Sequence, residues 1–312
     1  MTAGVLAAGV TLRSVRDVAG LTAVADYFSD VWQTARTAPP YPAEVLHSLV
    51  HAGGAVHAAY DGHRPAGASV AVLAPERGTY SLVAAADRGL GSVVKRAQRE
   101  WAVGVGARTM RWTFDPLVGR NARFNLVKLG AVGTDYLVDF YGPMADGVND
   151  GDESDRMTVS WDLTAPSASY GTETSYGTET SYGTEAPFAT EGSYGTEASH
   201  GTLTPHGTDG SYDVRDRDLA PATHTAPDGG TLARRDLGDR FVFCRVPDDI
   251  VELRAVDPVL ALRWRYAVRE VLTEAFAEGF RATDMSRDGW YTLTRPRSRL
   301  RSSGGTPVEG AA

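Results

Sequence analysis

The chain has 312 residues and a net charge of −8 from 39 acidic and 31 basic side chains, a balance that argues against a nucleic-acid backbone as partner. A single cysteine, Cys244, excludes a disulfide framework and a cysteine-rich zinc site. The leading MTAGVLAAGV is apolar but short and lacks a basic start, so it does not read as a signal peptide, and no apolar run approaches the roughly twenty residues of a membrane span. The expectation is a soluble, cytoplasmic protein that engages neither membrane nor nucleic acid.

In chain order, TLRSVRD predicts an edge strand. GLTAVADYFSDVWQ predicts a helix with Leu21, Val24, Ala25, Phe28, Val31 and Trp32 on one face. The paired prolines of TARTAPPYP break it. AEVLHSLVHAG is a second helix closed by Gly53 and Gly54. AVHAAYDG and RPAGASVAVLAP then form a hairpin around Asp61-Gly62. His47 and His51 stand four apart on the second helix, but without an intervening Glu or a third ligand they read as a solvated face, and no metal is expected.

The most informative stretch begins at Thr79. TYSLVAAA is a strand that runs straight into Asp87-Arg88-Gly89-Leu90-Gly91-Ser92, and VVKRAQREWAVGVG continues as an amphipathic helix. Such a joint leaves backbone N–H groups unpaired at the helix start, where a phosphate fits. Val94 stands where the dinucleotide fingerprint needs its third glycine, and no nucleoside-triphosphate loop string occurs. TMRWTFDP is the next strand, ending at Asp115, and RNARFNLVKLGA and TDYLVDFYG follow it.

DRGLGSVVKRAQREW, WTFDPL, RNARFNLVKLGA and FYG, in this order, resemble a poorly characterised subgroup of the GNAT acyltransferase superfamily. The resemblance covers about Thr11 to Leu163, and VPDDI, DPVLALRWR and GWYTLTR are similar to the subgroup's tail. It implies an α/β (α+β) GNAT fold: a mixed, mostly antiparallel central sheet flanked by helices. It also implies acetyl-CoA or another short acyl-coenzyme A as donor and a small-molecule amine as acceptor. Backbone groups of Val83, Ala84 and Ala85 would then face the thioester. The amides of Arg88, Gly89, Leu90, Gly91, Ser92 and Val93 would hold the pyrophosphate, Arg88 and Lys95 would add charge, and Asn121 would meet the pantetheine arm. Leu126 falls where many members carry a tyrosine acid, so the catalytic candidates become Asp115 and Tyr141. The alternative is a degenerate relative that keeps the coenzyme as a binding or assembly module.

From Ser169 a six-residue unit recurs as SYGTET, SYGTET, SYGTEA, PFATEG, SYGTEA, SHGTLT and PHGTDG. It carries too little apolar surface to offset chain entropy, so residues 165–233 are expected to form a long disordered insert. The domains are thus 1–164, the acyltransferase-like unit; 165–233, the insert; 234–296, an extension; and 297–312, a disordered tail. In the extension, RRDLGDRFVFCRVPDDI predicts one strand ending at Pro247, and Asp257 caps a helix that begins with Pro258. FRATDMSRDGWYTLTR predicts a hairpin, giving a strand–helix–hairpin packed on the core or, alternatively, a diverged second half of the same type. The acidic run DGVNDGDESDR lacks the oxygen ligands of a calcium loop at Val148 and Met157 and reads as a solvated loop.

Overall fold

A computed structural model of the chain describes residues 4–5, 9–144, 152–165 and 214–295. The repeat units of 169–210 and the tail from 297 lie outside the described residues.

Among the described residues, thirteen strands form one sheet in the order β1-β2-β3-β4-β5-β6-β8-β7-β12-β13-β11-β10-β9. Its first part comprises β1 (Gly4–Val5), β2 (Val10–Ser14), β3 (Ala55–Asp61), β4 (Arg64–Ala74) and β5 (Gly78–Ala86). Helices α1 (Val18–Trp32) and α2 (Ala43–His51) fill the β2–β3 connection. Asp17 starts α1 by accepting from Gly20 N–H at 2.8 Å, and Leu21, Val24, Phe28 and Val31 bury the predicted face against Val56, Ala58, Val70 and Val83. α3 (Gly91–Gly104) crosses the opposite face and leads to β6 (Thr109–Phe114). Val94 of α3 is admitted by Gly67 of β4, where an added Cβ would lie 3.0 Å from the valine methyl. The space for close helix–sheet packing therefore comes from a glycine of the sheet.

Among the described residues, β5 and β6 are the only parallel neighbours and pair over Gly78↔Thr109, Thr79↔Met110 and Tyr80↔Arg111 alone. Beyond that point they separate into a V. A bulge leaves Leu82 unpaired between Val70↔Val83 and Ala71↔Ser81, which turns β5 at the mouth of the V. After β6, α4 (Gly119–Arg123) runs into a π-helical turn, Phe124–Lys128. β7 (Val132–Leu137) and β8 (Arg156–Asp162) complete this part, with β8 inserted between β6 and β7.

The C-terminal region is larger than a strand–helix–hairpin. It contains α5 (Val214–Leu219), β9 (Ala222–Thr225), β10 (Thr231–Arg235), β11 (Phe241–Arg245), α6 (Ile250–Val256), α7 (Pro258–Ala277), β12 (Arg281–Met285) and β13 (Trp290–Thr294). Two expectations are corrected here. The 165–233 boundary fails at its far end, because α5, β9 and the start of β10 are ordered, with Ala226 and Leu232 buried on either side of an Asp228-Gly229-Gly230 turn. The run expected as one strand is two, because Asp236 accepts from the amides of Arg240 and Phe241 and folds the chain back.

This region extends the same sheet. β12 meets β7 through Ala282↔Gly133, and a Cβ on Gly133 would stand 2.7 Å from that of Ala282, so the two strands join only because this residue is glycine. Trp112, Phe114, Met157 and Trp161 share one core with Cys244, Trp264, Val268 and Tyr291. The Tyr291 hydroxyl donates to the Pro116 carbonyl at 2.7 Å and ties β13 to the end of β6.

Candidate functional site

The V between β5 and β6 organises everything around it. From Ser81 onward no strand among the described residues pairs with β5 on its β6 side, where backbone groups of Val83, Ala84 and Ala85 lie along the V while β4 pairs with the other edge. β5 ends in the turn 87–90, closed by Leu90 N–H to the Asp87 carbonyl at 3.0 Å. Gly89 adopts φ +85°, with open space where a side chain would stand. The first hydrogen bond entering α3 runs from Val94 N–H to Leu90 O at 3.1 Å, leaving the amides of Gly91, Ser92 and Val93 pointing out of the helix end. Arg88 is exposed beside them. Asp87 is engaged by an ion pair with Arg64 and by the Tyr27 hydroxyl at 3.3 Å, so its charge is partly offset at this end.

Lys95 does not join that group. One turn into α3 its side chain goes inward and is 3% exposed, so the expected role beside a pyrophosphate is corrected. Its Nζ donates to Ser81 Oγ at 3.0 Å and stands 3.9 Å from the centre of the Trp112 ring. Ser81 and Trp112 follow directly on the last paired residues, Tyr80 and Arg111, so the ammonium sits at the apex of the V. Ser81 Oγ in turn donates to Gln98 Oε1 at 2.9 Å, and Trp112 Nε1–H donates to Asn125 Oδ1 at 3.2 Å. Burial pulls the Lys95 ammonium down to about 7. Asn121, inside α4 on the same side, is 2% exposed, and its Oδ1 has no hydrogen-bond partner. It is not the cap of its helix, whose N-cap is Val118.

Three phenols gather on the other face. Tyr141 follows β7 in a turn, half exposed, with its hydroxyl 3.4 Å from Thr113 Oγ1. Tyr80 is raised above the ordinary phenol value by burial, against an opposing hydrogen bond from Thr113. Tyr41 is pushed up to about 12 by burial and then by the neighbouring Tyr141 and Tyr80. Tyr41 and Tyr80 carried no signal in the sequence, because one sits in a proline-rich break and the other inside a strand.

Asp115 is held elsewhere. It is fully buried and receives both arms of Arg265 at 2.8 Å, a second ion pair from Arg254 and the Leu117 N–H at 2.9 Å. Burial pushes its carboxyl up, but the charges of Arg265 and Arg254 outweigh this and hold it well below the usual carboxylate range. Such a carboxylate is a structural anion and a poor proton acceptor, which corrects its candidacy as the base. The described end of the acidic run, 152–156, is likewise not a solvated loop. Asp152 binds Arg265 and Arg254 at 2.6 and 2.8 Å, and Asp155 binds Arg269 at 2.8 Å and the Tyr136 hydroxyl at 2.6 Å. Glu153 pairs with Arg269 and accepts from the Tyr266 hydroxyl at 2.7 Å. Among the described residues, no group of three or more His, Cys, Asp or Glu side chains could hold a metal, and no helix is long and apolar enough to cross a membrane.

The element order from β2 to β8, with one parallel pair among the described residues splaying above a glycine turn, is the order that the resemblance to the GNAT superfamily implies. No protein-family model and no curated protein matches the chain. Solved structures do. An N-acetyltransferase from Staphylococcus aureus Mu50 is 14% identical with a TM-score of 0.41, covering 49% of this chain and 98% of its own. A putative acetyltransferase from Salmonella typhimurium, determined with its cofactor acetyl-CoA, is 18% identical with a TM-score of 0.41 over 51% and 99%. A GNAT-family acetyltransferase from Streptococcus pneumoniae is 14% identical with a TM-score of 0.38 over 48% and 97%.

Proposed function

We propose that the chain is an acyl-coenzyme-A-dependent acyltransferase that passes an acetyl or short acyl group directly to a small-molecule amine. The observation that carries this reading is the V itself. It offers amides at the start of α3 that point out of the helix end and, among the described residues, a buried Asn121 Oδ1 with no donor. Acyl-coenzyme A supplies the activated thioester. The amides of Gly91, Ser92 and Val93, with Arg88, take its pyrophosphate. Asn121 accepts from an amide of the pantetheine arm, whose thioester lies along β5 past Ser81. The acceptor enters from the tyrosine face, where Tyr141 is the accessible candidate to relay the proton of its ammonium.

Calorimetry with acetyl-CoA tests the reading. Gly89→Val forces a β-branched residue into φ +85°, a strain of about 1–2 kcal/mol, and sets a side chain in the path of the anion. A folded Gly89→Val protein should bind at least about tenfold more weakly, and unchanged affinity would remove the turn from the site. The rival reading, a coenzyme-binding module without turnover, is favoured by the full pairing of Asp115. Thiol release over a broad amine panel separates the two.

A further inference from the structure

Acyl transfer has two proton problems, one at the acceptor nitrogen and one at the departing sulfur. The tyrosine face addresses the first. The second needs a donor on the other side of the V, and there the chain places a buried amine, Lys95, whose Nζ spans the apex between Ser81 and Trp112. It has no carboxylate partner among the described residues, and its only other polar contact is one serine hydroxyl. The groups that face it are Ser81 from β5, Trp112 from β6 and, through Ser81, Gln98 of its own helix.

We infer that Lys95 is the acid that protonates the leaving thiolate, and that its ammonium pairs with the sulfur of bound coenzyme A. The inference rests on the acyltransferase reading above. In the step, the acceptor nitrogen attacks the thioester carbonyl, the N–C bond forms, and the C–S bond breaks with its electron pair going to sulfur. Lys95 Nζ–H gives its proton to that sulfur, and the acceptor nitrogen loses one proton to solvent, from which the lysine is recharged. The proton count closes without an additional reactant. A lysine pulled down to about 7 is close enough to an ordinary thiol, near 8.5, to pass a proton at neutral pH. Placement at the V apex, with no competing anion among the described residues, makes it specific to this site.

The test needs no acceptor. In full-length protein carrying isotope-labelled lysine, the Lys95 side chain is titrated by NMR alone, with coenzyme A, and with desulfo-coenzyme A. Coenzyme A should raise the Lys95 midpoint by about one pH unit or more, because a thiolate partner favours the ammonium. The desulfo analogue should not. In parallel, the bound thiol, followed by its ultraviolet thiolate absorbance, should ionise about tenfold more readily than the free thiol. Lys95→Met should abolish that gain. If Lys95→Met fails to fold, the wild-type comparison of coenzyme A with its desulfo analogue decides alone. Equal Lys95 midpoints with both ligands would overturn the inference while leaving coenzyme binding intact. If neither ligand binds, the acyltransferase reading itself falls and takes this one with it.

Discussion

Two charges are buried at opposite ends of the same strand-to-strand joint, and their surroundings could hardly differ more. Asp115, at the end of β6, is met by Arg265 and Arg254, with Asp152 sharing both guanidiniums. Lys95, at the apex of the V, is met by one hydroxyl and one indole face. Both residues are less than a tenth exposed, yet Asp115 is held charged and Lys95 is pulled toward neutrality. A buried charge that finds counter-charges becomes a fastener, whereas one that finds none becomes a proton donor or acceptor near neutral pH. The first region joins the C-terminal strands to the V, and the second serves the V itself.

The largest test of this contrast is Arg265→Met. It leaves Asp115 and Asp152 buried with Arg254 as the one guanidinium of the pair still bound to them, and stripping one member from such a network costs about 3–5 kcal/mol. Chemical denaturation should show that loss across the whole molecule, since α7 and β6 share one core. The acid limb gives a second readout. The folded Asp115 carboxyl lies below its unfolded value near 3.9, so its contribution is complete above that value and drains away as the pH falls below it. Asp115→Asn should therefore lower stability at neutral pH and flatten the loss below pH 4. A variant as stable as the parent at pH 7 would mean that the network does not fasten the two parts.

The contrast also marks what was legible in the sequence. The order of elements through β6, the glycine turn and the capped α7 follow from local pattern and turn chemistry. Asp115 and Lys95 were both visible as candidates, but their roles were not, because a role depends on partners 150 residues apart in the chain, such as Asp115 and Arg265. Nothing near Asp115 in sequence announces an arginine on α7. The acidic run was misread for the same reason: Asp152, Glu153 and Asp155 look like a solvated loop until α6 and α7 bring three arginines over them. Lys95 was expected to add charge beside the pyrophosphate, yet its side chain turns inward to Ser81 and Trp112, where β5 and β6 separate.

An effect of the opposite sign is expected at Lys95. Between about 7 and the free-lysine value of 10.5 the unfolded chain binds a proton that the folded chain does not, so stability rises with pH across that window. Below it the burial penalty is at its full size. Lys95→Met removes the penalty and should stabilise the protein most at pH 7 and below. The advantage over wild type should then shrink by up to about 1.4 kcal/mol per pH unit on the way to 10.5. Urea unfolding of both proteins at pH 7, 8 and 9 reads this directly. A destabilised Lys95→Met protein with no pH-dependent difference would place Lys95 among the fasteners, and the contrast would collapse.

The smallest effect sharpens the contrast instead of threatening it. Ser81 Oγ is the hydrogen-bond acceptor of the Lys95 ammonium and donates onward to Gln98. Ser81→Ala removes that acceptor without adding volume, and a buried hydrogen bond of this kind contributes about 1 kcal/mol. Because the lost interaction favours the charged form, the Lys95 midpoint should fall further, and the window in which stability rises with pH should open at a lower value. The folded protein should remain able to bind acetyl-CoA, since the amides at the start of α3 are untouched. A midpoint that stays where it is would assign the support of the charge to the Trp112 face, 3.9 Å away, and Trp112→Leu would then carry the shift.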